Sequence, residues 1–262
     1  MILPSLQALF PQPFTACVVG ASRGIGLALA KTLLGDSRCQ RLYAACRDPL
    51  AAPTLRALAA SNPQRLQLLR LDITDESTVR SAFAPLIMRR EPLHLLLNTV
   101  GVLQDEPLGL RPERRWEDLD TDTLLHSLRV NAVGPLLLGR HALAALSHDQ
   151  PAVFASLSAR VGSIGDNRLG GWYAYRGAKA AHNQYLRTLA VEAKRRAPRL
   201  CVLALHPGTV DTDLSRPFQG SSKAADRFSP EQAAAHLLNV IGARTAADSG
   251  GFYAWDGSQV PW

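Results

Sequence analysis

Three features are missing from this 262-residue chain, and each absence excludes a class of protein. No apolar run reaches about 18 residues, so we expect no membrane span. The four cysteines show no CxxC spacing and mostly lie in apolar runs, which predicts buried thiols in a reducing, cytoplasmic compartment. The histidines lack the spacing with Asp, Glu or Cys that a metal site requires, so no metal is expected; those considered are His141, His148, His182 and His236.

Lysine is scarce and acidic residues are outnumbered. The chain carries 29 basic and 22 acidic residues and a formal charge of +7, and only four of the basic residues are lysines. The arginines are scattered, with short clusters such as Arg114-Arg115 instead of a long basic run. This pattern favours a solvated surface and an anionic cofactor over a nucleic-acid partner.

Strand-length apolar runs alternate with longer helical patterns along the whole chain. The predicted helices include Gly24–Leu34, a stretch around Pro53–Ala60, Asp120–Leu146 and Tyr173–Arg196. Such alternation predicts an α/β fold: a single doubly wound Rossmann-type domain over 1–262, with a seven-stranded, mainly parallel sheet and helices on both faces. The apolar N-terminus lacks a basic region, so 1–13 is interpreted as an N-terminal extension and not as a signal peptide. Two Pro/Gly-punctuated stretches, Gln104–Trp116 and Asp211–Ser229, follow predicted strands, where loops cover a ligand crevice.

A glycine-rich turn, Gly20-Ala21-Ser22-Arg23-Gly24-Ile25-Gly26, directly follows the first predicted strand and opens the first helix. Its spacing is GxxxGxG and not GxGxxG, but its position predicts a dinucleotide pyrophosphate at the helix N-terminus. The second strand ends in Ala44-Ala45-Cys46-Arg47, without the carboxylate that commonly binds the ribose of NAD. Arg47, Arg23 and Ser22 would suit a 2′-phosphate, which favours NADP(H) over NAD(H); the alternative is that both arginines are solvated surface residues.

Tyr175 and Lys179 are four residues apart in a long helical pattern and therefore share one face. An ammonium beside a phenol is expected to lower the tyrosine pKa from about 10, which would make Tyr175 a general acid/base. The alternative is a helix surface with an incidental Tyr and Lys.

Together these segments resemble the short-chain dehydrogenase/reductase family over nearly the whole chain. Asn98-Thr99-Val100-Gly101 resembles its Asn-Asn-Ala-Gly segment with two departures, and Pro207–Thr212 resembles the segment on the nicotinamide side. The resemblance implies a catalytic tetrad of Asn131, Ser158, Tyr175 and Lys179. It also implies a set of cofactor-binding residues: Gly20, Ser22, Arg23, Gly24, Ile25, Gly26, Arg47, Asp72, Ile73, Asn98, Val100, Gly101, Tyr175, Lys179, Pro207, Gly208, Thr209, Val210 and Thr212.

The resemblance also implies a role for each member of the tetrad. Ser158 would hold the substrate oxygen, Tyr175 would donate or accept its proton, and Lys179 would lower the Tyr175 pKa and bind the nicotinamide ribose. Asn131 would hold a water that links Lys179 to solvent, and a role in pinning a helix kink is compatible with this. Ser156 is the competing serine, and His206 is interpreted as a strand-end histidine and not as a base.

The most similar branch is that of C-factor and Sniffer-like carbonyl reductases, on the segments Ser158–Ile164, Gly170–Arg176 and Trp255–Trp262. It implies an NADP(H)-dependent carbonyl reductase or alcohol dehydrogenase with a small-molecule substrate, acting as a homodimer or homotetramer. The 211–229 stretch would be a substrate lid or, alternatively, an ordered loop. Candidate pocket residues are Val102, Leu103, Ile164, Leu169, Trp172 and Phe218. The rival functions are a 3-oxoacyl-thioester reductase and an NADP-binding sensor without turnover.

Overall fold

Seven short, apolar segments form one parallel sheet. In the computed structural model, which describes residues 4–215 and 227–262, the sheet order is β3-β2-β1-β4-β5-β6-β7, and every neighbouring pair is parallel. Strands of this kind are near-continuously apolar because both faces of the sheet are covered. The strands are β1 (Phe14–Val19), β2 (Cys39–Cys46), β3 (Leu66–Arg70), β4 (Leu95–Asn98), β5 (Ala152–Leu157), β6 (Leu200–His206) and β7 (Gly251–Ala254). The predicted seven-stranded Rossmann-type sheet is confirmed.

Eight α-helices in the described ranges surround this sheet. They are α1 (Pro4–Leu9), α2 (Gly24–Leu34), α3 (Pro53–Ala60), α4 (Glu76–Met88), α5 (Thr121–Leu128), α6 (Gly134–Leu146), α7 (Tyr173–Arg196) and α8 (Pro230–Gly242). Side chains of Asp75, Asp120 and Ser229 accept hydrogen bonds from first-turn amides and so fix where α4, α5 and α8 begin. No helix in these ranges is long and apolar enough to cross a membrane.

The helices bury separate cores on the two faces of the sheet. On one face, Leu29 of α2 and Leu237 of α8 pack against β1 and its neighbours. On the other, Phe83 of α4, Leu138 of α6 and Leu186 of α7 form a second cluster. Covering both faces in this way is what makes the fold doubly wound.

The segment before β1 is part of the packed structure and not only an extension. Leu6 and Phe10 are buried in the same core as α2 and α8. The Arg38 guanidinium donates a hydrogen bond to the Phe10 carbonyl (2.6 Å), and this bond holds the segment before β1 next to the start of β2. A Cβ on Gly242 would collide with the Ser5 backbone, so α1 and the end of α8 are in backbone contact.

The carboxyl ends of the strands meet at one edge of the sheet and position the site. After β1 the chain proceeds to β2 on one side, whereas β4 lies on the other side of β1, so a crevice opens where the two connections diverge. The loops that start at Gly20, Thr99, Ser158 and Pro207 follow β1, β4, β5 and β6 at this edge. The loops that begin at these four residues therefore border one crevice.

Candidate active site

The glycine loop turns tightly against the end of β4. Gly20 has a φ of +89°, and a Cβ at that position would lie 2.6 Å from the Thr99 hydroxyl oxygen. A Cβ on Gly26 would collide with the Gly20 carbonyl oxygen, so only glycine fits at this position in the first turn of α2. Within the described ranges, the side chain of the N-cap residue Arg23 makes no capping hydrogen bond, so the first-turn amides of α2 are suited to bind an anion. This backbone cradle fits a pyrophosphate.

Other predicted cofactor residues border this loop. Val100 lies 3.2 Å from the position of a Cβ on Gly20, and the Thr212 methyl group lies 3.4 Å from the corresponding position on Gly24. The segment that follows β6 is therefore in contact with the glycine loop. Val210, in the same segment, is buried and pairs with Phe228.

Two predicted cofactor side chains bind within the protein. Asn98 is buried, and its amide donates to the Ser156 hydroxyl (2.8 Å) while its carbonyl accepts from the Val100 backbone (3.2 Å). Its side chain therefore joins β4 to β5 and shapes the following turn. Asp72 accepts from the Thr74 amide and hydroxyl through one carboxylate oxygen (2.9 and 2.7 Å), and Ile73 lies against Gly134.

The two arginines expected at a 2′-phosphate are both exposed at this end of the crevice. Arg23 is the N-cap residue before α2 and forms an ion pair with Asp213 (3.3 Å), whereas Arg47 follows β2 directly. The Gly20 and Ala21 amides donate to the Ala45 carbonyl (2.9 and 3.0 Å), so the glycine loop and the end of β2 are adjacent. Both guanidinium groups therefore extend from segments that border the phosphate end.

Tyr175 and Lys179 lie in the first turns of α7, and both side chains are buried. The Lys179 Nζ donates to the Leu157 carbonyl (2.8 Å) and lies 5.6 Å from the centre of the Tyr175 ring. Burial lowers the pKa of Lys179 to about 7 and raises the pKa of Tyr175 above its ordinary value. The predicted lowering of the Tyr175 pKa is therefore wrong for this structure, because desolvation of both groups outweighs their mutual attraction.

Asn131 lies in a π-helical turn, Arg129–Val133, that interrupts the predicted helix over 120–146. Its amide donates to the Val102 carbonyl (2.7 Å) and to Ser127 (3.1 Å), and its carbonyl accepts from the Val102 amide (3.0 Å). These bonds hold the irregular turn against the end of β4. The Asn131 Oδ1 and the Lys179 Nζ both lie within 4 Å of where a Cβ on Gly101 would be, so the two side chains approach each other there.

Ser158 and Ser156 have different surroundings. Ser156 is fully buried within β5, where its hydroxyl bonds the Asn98 amide and the His182 Nε2, each at 2.8 Å. Ser158 follows the end of β5, and its hydroxyl donates to the Oδ1 of Asn183 on α7 (2.6 Å). Because Ser156 is enclosed in an internal network, the geometry favours Ser158 as the serine at the crevice.

Asn183 was not identified from the sequence. It lies four residues after Lys179 and eight after Tyr175, so it shares the buried face of α7 with them. Its spacing is the available sequence signal, because it places the Asn183 amide on the same helix face as the polar side chains of Tyr175 and Lys179.

A cavity of about 10 Å³, room for about one water molecule, opens beside Tyr175. Of the predicted pocket residues, Val102 and Leu103 line it; the other lining residues are Gln104, Leu110, Arg111, Glu113, Thr123, His126, Ser127, Ala174 and Tyr175. Ile164 and Leu169 do not line it, because they are 78% and 91% exposed on the loop before α7. Phe218 and much of the predicted 211–229 lid lie outside the described residues.

Glu113 and Trp172 connect the loop after β4 to the start of α7. Trp172, another predicted pocket residue, is not among the residues that line the cavity. Its φ is 53°, and its backbone amide donates a hydrogen bond to the Glu113 carbonyl (2.6 Å). The buried Glu113 carboxylate accepts from the Ala174 amide (3.4 Å). A carboxylate at a helix N-terminus is favourably placed, so Glu113 helps to fix the turn that carries Tyr175.

His206 has the surroundings of a structural histidine. Burial, with a smaller contribution from the Arg160 charge, lowers the pKa of His206 to about 4, so the ring is neutral at physiological pH. Across 4–215 and 227–262, no three His, Cys, Asp or Glu side chains are grouped so that they could hold a metal ion.

Comparison with known proteins identifies relatives of this arrangement. Residues 14–222 match the family model described as short chain dehydrogenase. The chain is 31% identical over 248 residues to 1-hydroxy-2-glutathionyl-2-methyl-3-butene dehydrogenase of Rhodococcus sp. strain AD45, which covers 95% of this chain and 99% of that protein. It superposes on NADPH-bound carbonyl reductase from chicken fatty liver with a TM-score of 0.82 at 28% identity, covering 96% of this chain and 100% of the other. Carbonyl reductase Sniffer of D. melanogaster gives the same TM-score and coverage at 26% identity.

Proposed function

The chain belongs to the short-chain dehydrogenase family, and we propose that it is an NADP(H)-dependent oxidoreductase that interconverts a small carbonyl compound and a secondary alcohol. The observation that carries this proposal is the buried pair on α7. Tyr175 lines a cavity, and Lys179 lies one helical turn below it, within 4 Å of the Gly101 Cβ position. A phenol at a small, partly apolar cavity can exchange a proton with a substrate oxygen.

The crevice residues fit a dinucleotide. The loop from Gly20 to Gly26 and the uncapped start of α2 would hold the pyrophosphate, and the segment 207–212 would border the nicotinamide end. When bound, the nicotinamide supplies or accepts the hydride, and the protein supplies orientation and electrostatics.

The preference for NADP(H) rests on two cations and one missing carboxylate. Arg47 follows β2 where an NAD-binding site commonly has an acidic residue, and Arg23 is the N-cap residue of α2 in the adjacent glycine loop. Arginine can bind a phosphate through two charge-assisted hydrogen bonds. The similarity to an NADPH-bound carbonyl reductase supports the same choice.

The proposed mechanism assigns one task to each polar side chain. Tyr175 gives its phenolic proton to the substrate oxygen during reduction and takes it back during oxidation. Ser158 bonds the same oxygen, and Lys179 binds the nicotinamide ribose next to the phenol. Asn131 fixes the turn after β4 and carries the proton path from Lys179 towards solvent through a bound water.

The test is turnover by a Tyr175→Phe variant, with Tyr173→Phe as the matched control on the same helix turn. Fluorescence titration with NADPH and NADH gives the cofactor affinities, and a panel of isatin-like, quinone and acetoacetyl-thioester substrates gives the activity. We expect Tyr175→Phe to bind NADPH normally and to lose nearly all turnover, and Tyr173→Phe to retain it. Full turnover by Tyr175→Phe would contradict the assignment.

The same panel separates the rival functions. A strong preference for the acetoacetyl thioester would indicate a 3-oxoacyl-thioester reductase. NADPH binding without turnover of any substrate would favour a nucleotide-binding sensor. Equal affinity for NADH and NADPH would contradict the role given to Arg23 and Arg47.

A further inference from the structure

Glu113 carries a buried carboxylate with one unpaired oxygen. The residue is 3% exposed, and its Oε2 accepts a hydrogen bond from the Ala174 amide (3.4 Å). No residue of 4–215 or 227–262 donates a hydrogen bond to the other oxygen, Oε1, and none of them forms an ion pair with this carboxylate. Because an unpartnered oxygen of a buried carboxylate is costly, it indicates a ligand group that supplies the missing donor.

The place for that donor is the cavity beside Tyr175. Glu113 and Tyr175 both line this cavity, whose volume of about 10 Å³ holds one water-sized group. A hydroxyl group has that size and can donate a hydrogen bond. A protonated amine could also donate, but the Arg111 guanidinium lines the same cavity and disfavours a second cation. A neutral hydroxyl therefore fits the cavity in size, donor chemistry and charge.

This hydroxyl is a second group of the substrate and not the reacting one. In the proposed function, the reacting carbonyl oxygen accepts the Tyr175 proton, and an oxygen that only accepts cannot form a hydrogen bond with a carboxylate oxygen. Glu113 therefore suits another functional group of the same molecule. Because Glu113 and Tyr175 line a cavity that holds only one small group, this hydroxyl must lie within a few bonds of the carbonyl.

We propose that Glu113 is a specificity-determining residue that accepts a hydrogen bond from a second hydroxyl of the substrate, and that the substrate class is an α-hydroxyketone and the vicinal diol formed from it. The inference rests on the proposed function, since it needs Tyr175 to act on the adjacent carbonyl. During reduction the carbonyl carbon accepts the hydride of NADPH and the carbonyl oxygen accepts the Tyr175 proton, while the second hydroxyl is unchanged. In the rival explanation, a bound water completes Oε1 and Glu113 only fixes the start of α7.

The first experiment compares three ketones of one shape in the unsubstituted protein. They are 3-hydroxy-2-butanone, butanedione and 3-methyl-2-butanone, which carry a donor hydroxyl, an acceptor carbonyl and a methyl group at the carbon next to the reacting carbonyl. A hydrogen bond to a charged acceptor is stronger than one between neutral groups. We therefore expect kcat/KM for the hydroxyketone to exceed that for the methyl analogue at least tenfold.

The second experiment is the substitution Glu113→Gln. Glutamine has the same shape, and its only side-chain oxygen must still accept from the Ala174 amide, so its Nε2 replaces Oε1 and presents donors to the cavity. The ratio of kcat/KM for the hydroxyketone to kcat/KM for butanedione should then fall at least tenfold. The control is Glu117→Gln, which removes an exposed carboxylate outside the cavity and should leave this ratio unchanged.

A merely structural role gives a different result. If Glu113 only fixes the start of α7, Glu113→Gln changes kcat/KM for all three ketones by one common factor, and that outcome would overturn the inference. Equal kcat/KM for the hydroxyketone and its methyl analogue in the unsubstituted protein would overturn it as well, and this comparison needs no variant that folds. The affinity for NADPH in fluorescence titration should be the same before and after the substitution.

The outcomes also separate this inference from the proposed function. If the protein reduces ketones but does not favour the hydroxyketone over its methyl analogue, the inference fails while the function stands. If it neither reduces any ketone nor oxidises any secondary alcohol, both fail together.

Discussion

Lys179 is expected to lose its proton near neutral pH in the protein without added cofactor. Its side chain is 2% exposed, its Nζ donates to the Leu157 carbonyl, and it makes no ion pair with any residue in the described ranges. Burial therefore lowers the pKa of Lys179 to about 7 from 10.5. The perturbation is Lys179→Met, which keeps the length of the side chain but removes the titrating group.

The direction of the pH effect follows from proton binding. Between pH 7 and 10.5 the folded protein has released the Lys179 proton, whereas the unfolded chain still binds it, so stability rises with pH in this window. Each unit of the pKa difference corresponds to about 1.4 kcal/mol, so the whole window corresponds to about 5 kcal/mol. Below pH 7 both states are protonated and the full cost of burying the ammonium applies.

The assay is urea unfolding of the unsubstituted protein and Lys179→Met from pH 6 to 10. Groups that titrate in both proteins cancel when the two free energies of unfolding are subtracted. We expect this difference to rise by about 2 kcal/mol in favour of the unsubstituted protein between pH 7 and 9. Lys194→Met, which removes an exposed lysine from the same helix, reports the effect of losing a charge at the surface. A flat difference for Lys179→Met would refute the reasoning, because it would mean that the buried amine keeps its proton.

Two further substitutions test the phosphate cradle and the attachment of α1. Gly26→Ala should weaken NADPH binding at least tenfold in fluorescence titration, because the new Cβ would collide with the backbone of the glycine loop. The control is Gly177→Ala: the space around this Cβ is open, so the substitution should stabilise α7 by about 0.5–1 kcal/mol. Arg38→Met should lower the free energy of unfolding by about 3–5 kcal/mol, because it removes the ion-pair partner of the buried Asp36 carboxylate. The control is Arg41→Met: Arg41 is exposed, so this substitution should lower the free energy of unfolding by less than about 1 kcal/mol. Burial alone raises the pKa of Asp36, but the hydrogen bonds and charge of Arg38 lower it overall, so the deficit of Arg38→Met should shrink as the carboxylate is protonated in acid.

The fold could be predicted because each helix and strand is indicated by a local sequence pattern. The predicted helices over Gly24–Leu34, Pro53–Ala60 and Tyr173–Arg196 agree with the structure at both ends. Those boundaries are set by glycine, proline and apolar periodicity, which are local properties. The π-helical turn at Arg129–Val133 was not predicted, because it is held by bonds from Asn131 to Val102, about 30 residues earlier in the chain.

The placement of Tyr175 and Lys179 could be predicted from the sequence, but the pKa shifts of the two groups could not. Spacing alone places Tyr175 and Lys179 on one helix face, and the structure agrees. Spacing does not indicate how much water each group loses, and desolvation determines the direction of both pKa shifts. The same limit applies to Asn98, because spacing does not indicate that its side chain donates a hydrogen bond to Ser156 inside the sheet.

The buried face of α7 explains why these polar side chains act as one unit. Tyr175, Lys179, His182 and Asn183 all lie on it, and the last three bond Leu157, Ser156 and Ser158 at the end of β5. A Cβ on Gly162 would lie 2.7 Å from the Lys179 Cβ, so the loop after β5 is in direct contact with the helix. Because these bonds join one helix to the end of one strand, a displacement of α7 would move Tyr175 and Ser158 together. The hydrogen bonds from α7 to the end of β5 therefore keep Tyr175 and Ser158 in a fixed relative position.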